Sequence, residues 1–134
     1  MRKPQYVSVE EALRLHAVVL GLTRGTLGVR DMNGLLGALG RPRSAFGGKS
    51  MFPDVFSKAA ALIESIARNH PFIDGNKRTS YLIGAAFLHK NGYGLSPKGG
   101  EIETFMLWVV TEKPDMKEVS AWLKKYSKRR AKRK

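Results

Sequence analysis

The sequence predicts an all-α fold: a compact bundle of about six helices, with room for one small hairpin or flap before the third long helix. Three observations predict it. Apolar residues recur at three- and four-residue spacing in successive stretches, Gly- and Pro-containing turns separate those stretches, and Ser8 and Asp31 stand where helix caps are needed.

The first helix is expected to begin at Ser8. Ser8-Val9-Glu10-Glu11 reads as a capping box, and both acids suit the positive end of a helix dipole. Leu13, Ala17 and Leu20 recur along one face, and Gly21 and Gly25 mark the exit. Asp31 is the expected cap of a short second helix with an apolar face of Met32, Leu35, Leu36 and Leu39, closed by Gly40-Arg41-Pro42. Residues 41–52 lack periodicity and contain Pro42, Gly47 and Gly48, so they read as a loop or short hairpin.

Helix three starts near Pro53, a good first-turn residue, and presents Val55, Phe56, Ala59, Ala60, Leu62, Ile63 and Ile66. Its Ala59-Ala60-Ala61 run predicts close packing on a neighbouring helix. It stops before Asn69-His70-Pro71, because Pro71 disfavours helical geometry at His70. Helix four starts between Gly75 and Arg78 and runs to about Lys90; Leu82, Ile83, Ala85, Ala86 and Phe87 make it apolar on most sides and therefore central. Asn91-Gly92 ends it. Helix five spans roughly 99–111, with Ile102, Phe105, Met106, Val109 and Val110 inward. Pro114 separates it from helix six, roughly 115–127, with Met116, Val119, Trp122, Leu123 and Tyr126.

With 134 residues the chain fits one domain, expected over 1–126, followed by a basic tail over 127–134. An apolar fraction of 43% and a charged fraction of 26% belong to a globular protein. The absence of cysteine excludes a disulfide scaffold and thiolate catalysis and suits a reducing compartment. No run approaches the roughly 20 apolar residues of a membrane span, and the opening Met1-Arg2-Lys3-Pro4 turns polar at once, so the expected location is the cytoplasm, with no membrane partner. The net charge of +13 would suggest nucleic-acid binding, but eight of the basic groups lie within 124–134. That run reads as a solvated end, and nucleic acid is expected only through it.

The chemistry is concentrated in His70-Pro71-Phe72-Ile73-Asp74-Gly75-Asn76-Lys77-Arg78-Thr79. Lys77 and Arg78 fall in the first turn of helix four, where cations are unfavourable by a few tenths to about 1 kcal/mol each. A bound anion would reverse that penalty, and the free N–H groups of the first turn form a cradle for one. Gly75 lets the backbone approach closely. Asp74 suits Mg²⁺, which favours sites with one or two carboxylates plus phosphate oxygens. His70 is the nearby side chain able to take a proton near neutral pH. Taken singly these are a capping His, an Asp-Gly turn and surface cations; together they suggest phosphoryl transfer from a nucleotide to a hydroxyl. His16 and His89 are read as structural, since neither has metal-ligand spacing with a partner.

The ordered set resembles the motif of the Fic superfamily, His-x-Phe-x-Asp/Glu-Gly-Asn-x-Arg, through His70, Phe72, Asp74, Gly75, Asn76 and Arg78. The AMP-transferring members usually carry Gly where this chain has Lys77 and a second Arg where it has Tyr81; Lys followed by Arg-Thr resembles the Doc (death-on-curing) branch. Tyr6-Val7-Ser8, Glu10, Glu11, Leu13, His16, Gly28-Val29-Arg30-Asp31, Ala38-Leu39, Arg41-Pro42, Phe46-Gly47 and Phe52-Pro53 extend the resemblance over roughly residues 6–95.

The resemblance implies a Fic/Doc-type helical domain acting as the toxin of a toxin–antitoxin system. The reaction it implies is kinase transfer of the γ-phosphate of ATP, with Mg²⁺, to a Ser or Thr hydroxyl of elongation factor Tu, arresting translation. His70 would be the general base and Asp74 the metal-binding or orienting carboxylate. Gly75 and Asn76 would contact phosphate, Lys77 and Arg78 would neutralise it, and Arg68 would reach it or sit in a surface ion pair. Phe72 would anchor the loop. No Glu has Ser or Thr four residues before it, as the inhibitory helix of many Fic enzymes requires, so an inhibitor would come from another chain, a Phd-type antitoxin docked on helices one to three. The alternatives are AMP transfer to a protein hydroxyl, or a non-catalytic binding module that uses the basic tail.

Overall fold

The computed structural model describes residues 3–131. The chain runs α1 (Val9–Thr23), α2 (Met32–Gly40), a 3₁₀ turn (Arg41–Arg43), β1 (Ala45–Phe46), β2 (Lys49–Ser50), α3 (Val55–Asn69), α4 (Asn76–Lys90), β3 (Tyr93–Leu95), α5 (Glu101–Glu112), α6 (Met116–Lys125) and β4 (Ser127–Arg129). The all-α expectation holds, and the hairpin before the third long helix is β1–β2, paired antiparallel around Gly47 and Gly48 at positive φ.

Local chemistry explains most of the boundaries. Ser8 and Glu11 form the capping box at the start of α1, and Asp31 caps α2 through the Gly34 N–H. Asp54 and Ser57 cap α3 reciprocally, so Pro53 lies just outside the helix rather than in its first turn. Of the expected inward residues of α1, Leu20 is buried and Leu13 packs against the core, but Ala17 faces solvent, and Ala12, His16 and Val19 complete the inward face. On α2, Leu35, Ala38 and Leu39 are buried while Met32 and Leu36 stand out.

α3 is the centre of the core, packed most extensively on α4 and then on α6. The close approach to α4 is built from small residues. Ala59, Ala60 and Ala61 are fully buried, and a Cβ at Gly84 would lie 2.5 Å from Ile63 Cδ1. Lys90 at the end of α4 bonds Glu11 at 2.9 Å, tying α4 to the start of α1. Burial pushes the Glu11 carboxyl up, but the hydrogen bonds from Lys90 and the Ser8 N–H outweigh it and hold the group below its ordinary value.

The sequence did not suggest the second small sheet. β4 pairs antiparallel with β3, Tyr93 opposite Arg129 and Leu95 opposite Ser127, and the Arg130 N–H extends the pairing to the Gly92 carbonyl at 2.8 Å. The main chain of Ser127–Arg129 is thus a strand rather than a frayed end, while Lys128, Arg129 and Arg130 stay exposed to solvent and the Arg129 guanidinium lies over the Tyr93 ring. Lys132, Arg133 and Lys134 lie outside the described residues. Among the described residues no helix is long and apolar enough to cross a membrane.

Candidate active site

α3 ends at His70, which takes the left-handed conformation (φ 48°) and donates its N–H to the Ile66 carbonyl. This cap carries the exposed imidazole beyond the helix, and Pro71, which disfavours helical geometry at the residue before it, keeps the helix from running on. Phe72 then drops into the core at 1% exposure. The loop returns through Ile73, Asp74 and Gly75 (φ 77°) into the first turn of α4.

The loop is braced from two sides. The segment before α2 lies alongside it: Val29 bridges Phe72, the Ile73 N–H reaches the Gly28 carbonyl at 3.0 Å, and the Arg30 and Asp31 N–H groups share the Pro71 carbonyl. The Arg30 guanidinium donates to the carbonyls of Asn69 (2.9 Å) and His70 (Nε, 3.0 Å), fixing the main chain at the imidazole. From α1, the buried His16 donates Nε2–H to the Asp74 carbonyl at 2.8 Å and stacks on Phe72 with centroids 3.9 Å apart. His16, Arg30 and Gly25 are the site residues that sequence reasoning missed. A Cβ at Gly25 would fall 2.5 Å from Asp74 Oδ2. For His16 and Arg30 the partners are main-chain carbonyls far along the chain, which no local pattern encodes.

His70, Asp74, Gly75, Asn76, Lys77 and Arg78 come together, with Gly25 and Ile73, around an open cleft of about 490 Å³. Gly75 offers no side-chain cap to α4, and the first intrahelical bond is donated by Thr79 to the Gly75 carbonyl, so the mouth of the helix opens into the cleft with Lys77 and Arg78 beside it. Asn76 clamps the loop: its Oδ1 accepts the Phe72 N–H at 3.0 Å and its Nδ2 donates to the Phe72 carbonyl at 2.9 Å. Its side-chain amide is therefore engaged within the loop. Arg68 stands apart from the cleft and pairs with Glu64 at 2.8 Å; Arg41 bonds the other oxygen of the same carboxylate. Arg78 reaches Glu103 at 3.7 Å across exposed surface. Tyr81 is buried against Phe105, and burial pushes its phenol up to about 12.

Among the described residues Asp74 is the single carboxylate lining the cleft, with Oδ1 accepting the Gly75 N–H at 2.8 Å and Oδ2 facing the Thr26 N–H at 3.3 Å. Among the described residues no cluster of three metal-ligating side chains exists. The donor set suits a cation that completes its shell with phosphate oxygens and water, as Mg²⁺ does, and not a metal held by protein alone. A second cleft, beside Phe105, Trp108 and Trp122, holds no such assembly; its carboxylate, Glu101, accepts the Tyr126 O–H.

A helical core in which the uncapped N-terminus of α4 opens into a cleft rimmed by an imidazole and a carboxylate is that of a Fic-type domain. Residues 6–88 match the Fic/DOC family. Toxin Doc of Mycolicibacterium smegmatis is 36% identical over 121 residues, covering 89% of this chain and 91% of that protein. Protein kinase doc of Escherichia phage P1 is 30% identical over 88 residues, covering 66% of this chain and 69% of the relative. The chain belongs to the Fic/DOC family and stands there with the Doc toxins.

Proposed function

We propose that this protein is a toxin that transfers the γ-phosphate of ATP to a Ser or Thr hydroxyl of elongation factor Tu, arresting translation in the cytoplasm. The observation that carries the reading is the single cleft shared by the His70 imidazole, the Asp74 carboxylate and the uncapped mouth of α4. Kinase chemistry needs little more than positioning and charge stabilisation, and these are the groups for both. The likeness to protein kinase doc of the phage and the side chain at Lys77 favour the kinase over AMP transfer.

In this reading His70 takes the hydroxyl proton as the oxygen attacks the γ-phosphorus. The bond to the β,γ-bridging oxygen breaks and ADP departs. The first-turn N–H groups, Lys77 and Arg78 face the phosphate charge. Asp74 would hold Mg²⁺, which when bound draws off charge from the phosphate oxygens. Arg30 and Asn76 keep the loop in shape. Inhibition would come from a Phd-type antitoxin. Val18, Leu22, Leu27, Met32 and Leu36, large apolar side chains exposed on α1, α2 and the turn between them, support that docking face.

The test is incubation of purified protein and elongation factor Tu with Mg²⁺ and ATP labelled at either the γ or the α phosphate. Label is expected on elongation factor Tu from γ-labelled ATP alone. Transfer of the α label would replace the reading with AMP transfer, and transfer of neither would remove elongation factor Tu as substrate.

A further inference from the structure

The motif loop leans on α1 through a polar contact from His16. His16 is 1% exposed, and its Nε2 lies 2.8 Å from the Asp74 carbonyl oxygen. A carbonyl only accepts, so Nε2 of His16 carries a proton. That carbonyl shares a peptide unit with the Gly75 N–H, which donates to Asp74 Oδ1 at 2.8 Å. One peptide plane is thus held at both ends, by the imidazole on one side and the catalytic-loop carboxylate on the other. Gly75 is the residue whose backbone permits this plane to turn over, because glycine occupies both signs of φ with little penalty. Turning it would aim the carbonyl oxygen at the Asp74 carboxylate and remove the N–H that orients it.

We infer that His16 is a positioning residue for the reaction: it locks the Asp74–Gly75 peptide and so fixes the Asp74 carboxylate at the mouth of α4. The role is that of an outer-shell partner acting on a group that touches the ligand, where loss typically lowers metal affinity or activity about 10- to 100-fold. It requires the donor and not the ring. The stack on Phe72 is a separate contribution to packing, and His16→Phe preserves it while deleting the donor. His16→Gln restores a donor without the ring.

The catalytic half of the test rests on the proposed phosphoryl transfer, so the structural half uses the protein alone. Nitrogen-15 NMR of the free protein is expected to show His16 as the Nε2–H tautomer. Amide exchange in His16→Phe is expected to quicken at Gly75 and Thr26 by at least about tenfold while Leu62 and Ile63 of α3 keep wild-type protection. Gln is expected to return Gly75 towards wild type. An Nδ1–H tautomer, or unchanged exchange at Gly75, overturns the inference; faster exchange throughout α3 would make His16 merely structural and overturn it too. In the transfer assay His16→Phe should raise the Mg²⁺ requirement about 10- to 100-fold, with rescue in His16→Gln. Wild-type protein that transfers phosphate with a variant of unchanged Mg²⁺ dependence also overturns it. Absence of transfer by wild type defeats the proposed function instead, and the NMR result still decides His16.

Discussion

The N-termini of α3 and α4 lie on neighbouring, tightly packed helices and are built in opposite ways. α3 is closed by its own sequence, with Asp54 and Ser57 satisfying each other's N–H groups. α1, α2 and α6 are likewise capped by Ser8, Asp31 and Asp115. α4 has a left-handed glycine where the cap should be, no acid in its first turn, and Lys77 and Arg78 there instead. α5 also lacks a side-chain cap, but Glu101 and Glu103 answer its dipole. Among the described helices α4 alone combines an uncapped first turn with cations in it, and the Asp74 carboxylate just before it bonds the Gly75 and Thr26 N–H groups rather than those of the first turn. A helix end that folding alone had shaped would look like that of α3.

The largest expected effect separates chemistry from folding at that mouth. His70→Ala should lower phosphoryl transfer about 10²- to 10⁴-fold. Its stability should stay within about 1 kcal/mol of wild type, because the imidazole is exposed and the main-chain cap survives. Initial rates and urea unfolding of the same preparation check both; a folded His70→Ala protein with the wild-type rate would remove the base from the mechanism. Asp54→Ala should do the reverse at the closed end. It deletes the acceptor of the Ser57 N–H at 2.8 Å and should cost about 0.5–2 kcal/mol, with the rate per folded molecule unchanged. A rate falling in step with stability would show that the two helix ends are not independent.

The same contrast explains what the sequence disclosed. Caps and motif are local: Ser8 with Glu11, Asp31 with Gly34 and the run from His70 to Arg78 each act within a few residues, so their spacing is readable. Asn76 is local as well, but spacing does not reveal that its side-chain amide closes on Phe72. What stayed hidden acts through main chain at long range. His16 meets a carbonyl 58 residues on, and Arg30 meets carbonyls 39 and 40 residues on. Ser127-Lys128-Arg129 has no apolar alternation to announce a strand, since its partner Tyr93–Leu95 recruits it by backbone hydrogen bonds. The β1–β2 hairpin was legible as far as Gly47-Gly48 marks a turn.

The smallest effect is also the sharpest test of the open mouth. Lys77 is exposed in the first turn of α4, so exchanging its charge disturbs no packing. If the cation is there for a ligand, it is a liability in the free protein. Lys77→Glu should then stabilise the ligand-free fold by about 0.3–1 kcal/mol, through a negative charge at a helix N-terminus, and raise the melting temperature by about 1–4 °C. The gain should shrink as salt is added, because surface electrostatics are screened over about 10 Å at 0.1 M ionic strength. Phosphoryl transfer should fall in the same variant, since the added carboxylate repels the incoming phosphate. A melting temperature lowered by Lys77→Glu would mean that Lys77 already serves the folded chain. The cations at the mouth of α4 would then be structural, like the cap of α3, rather than a place kept for an anion.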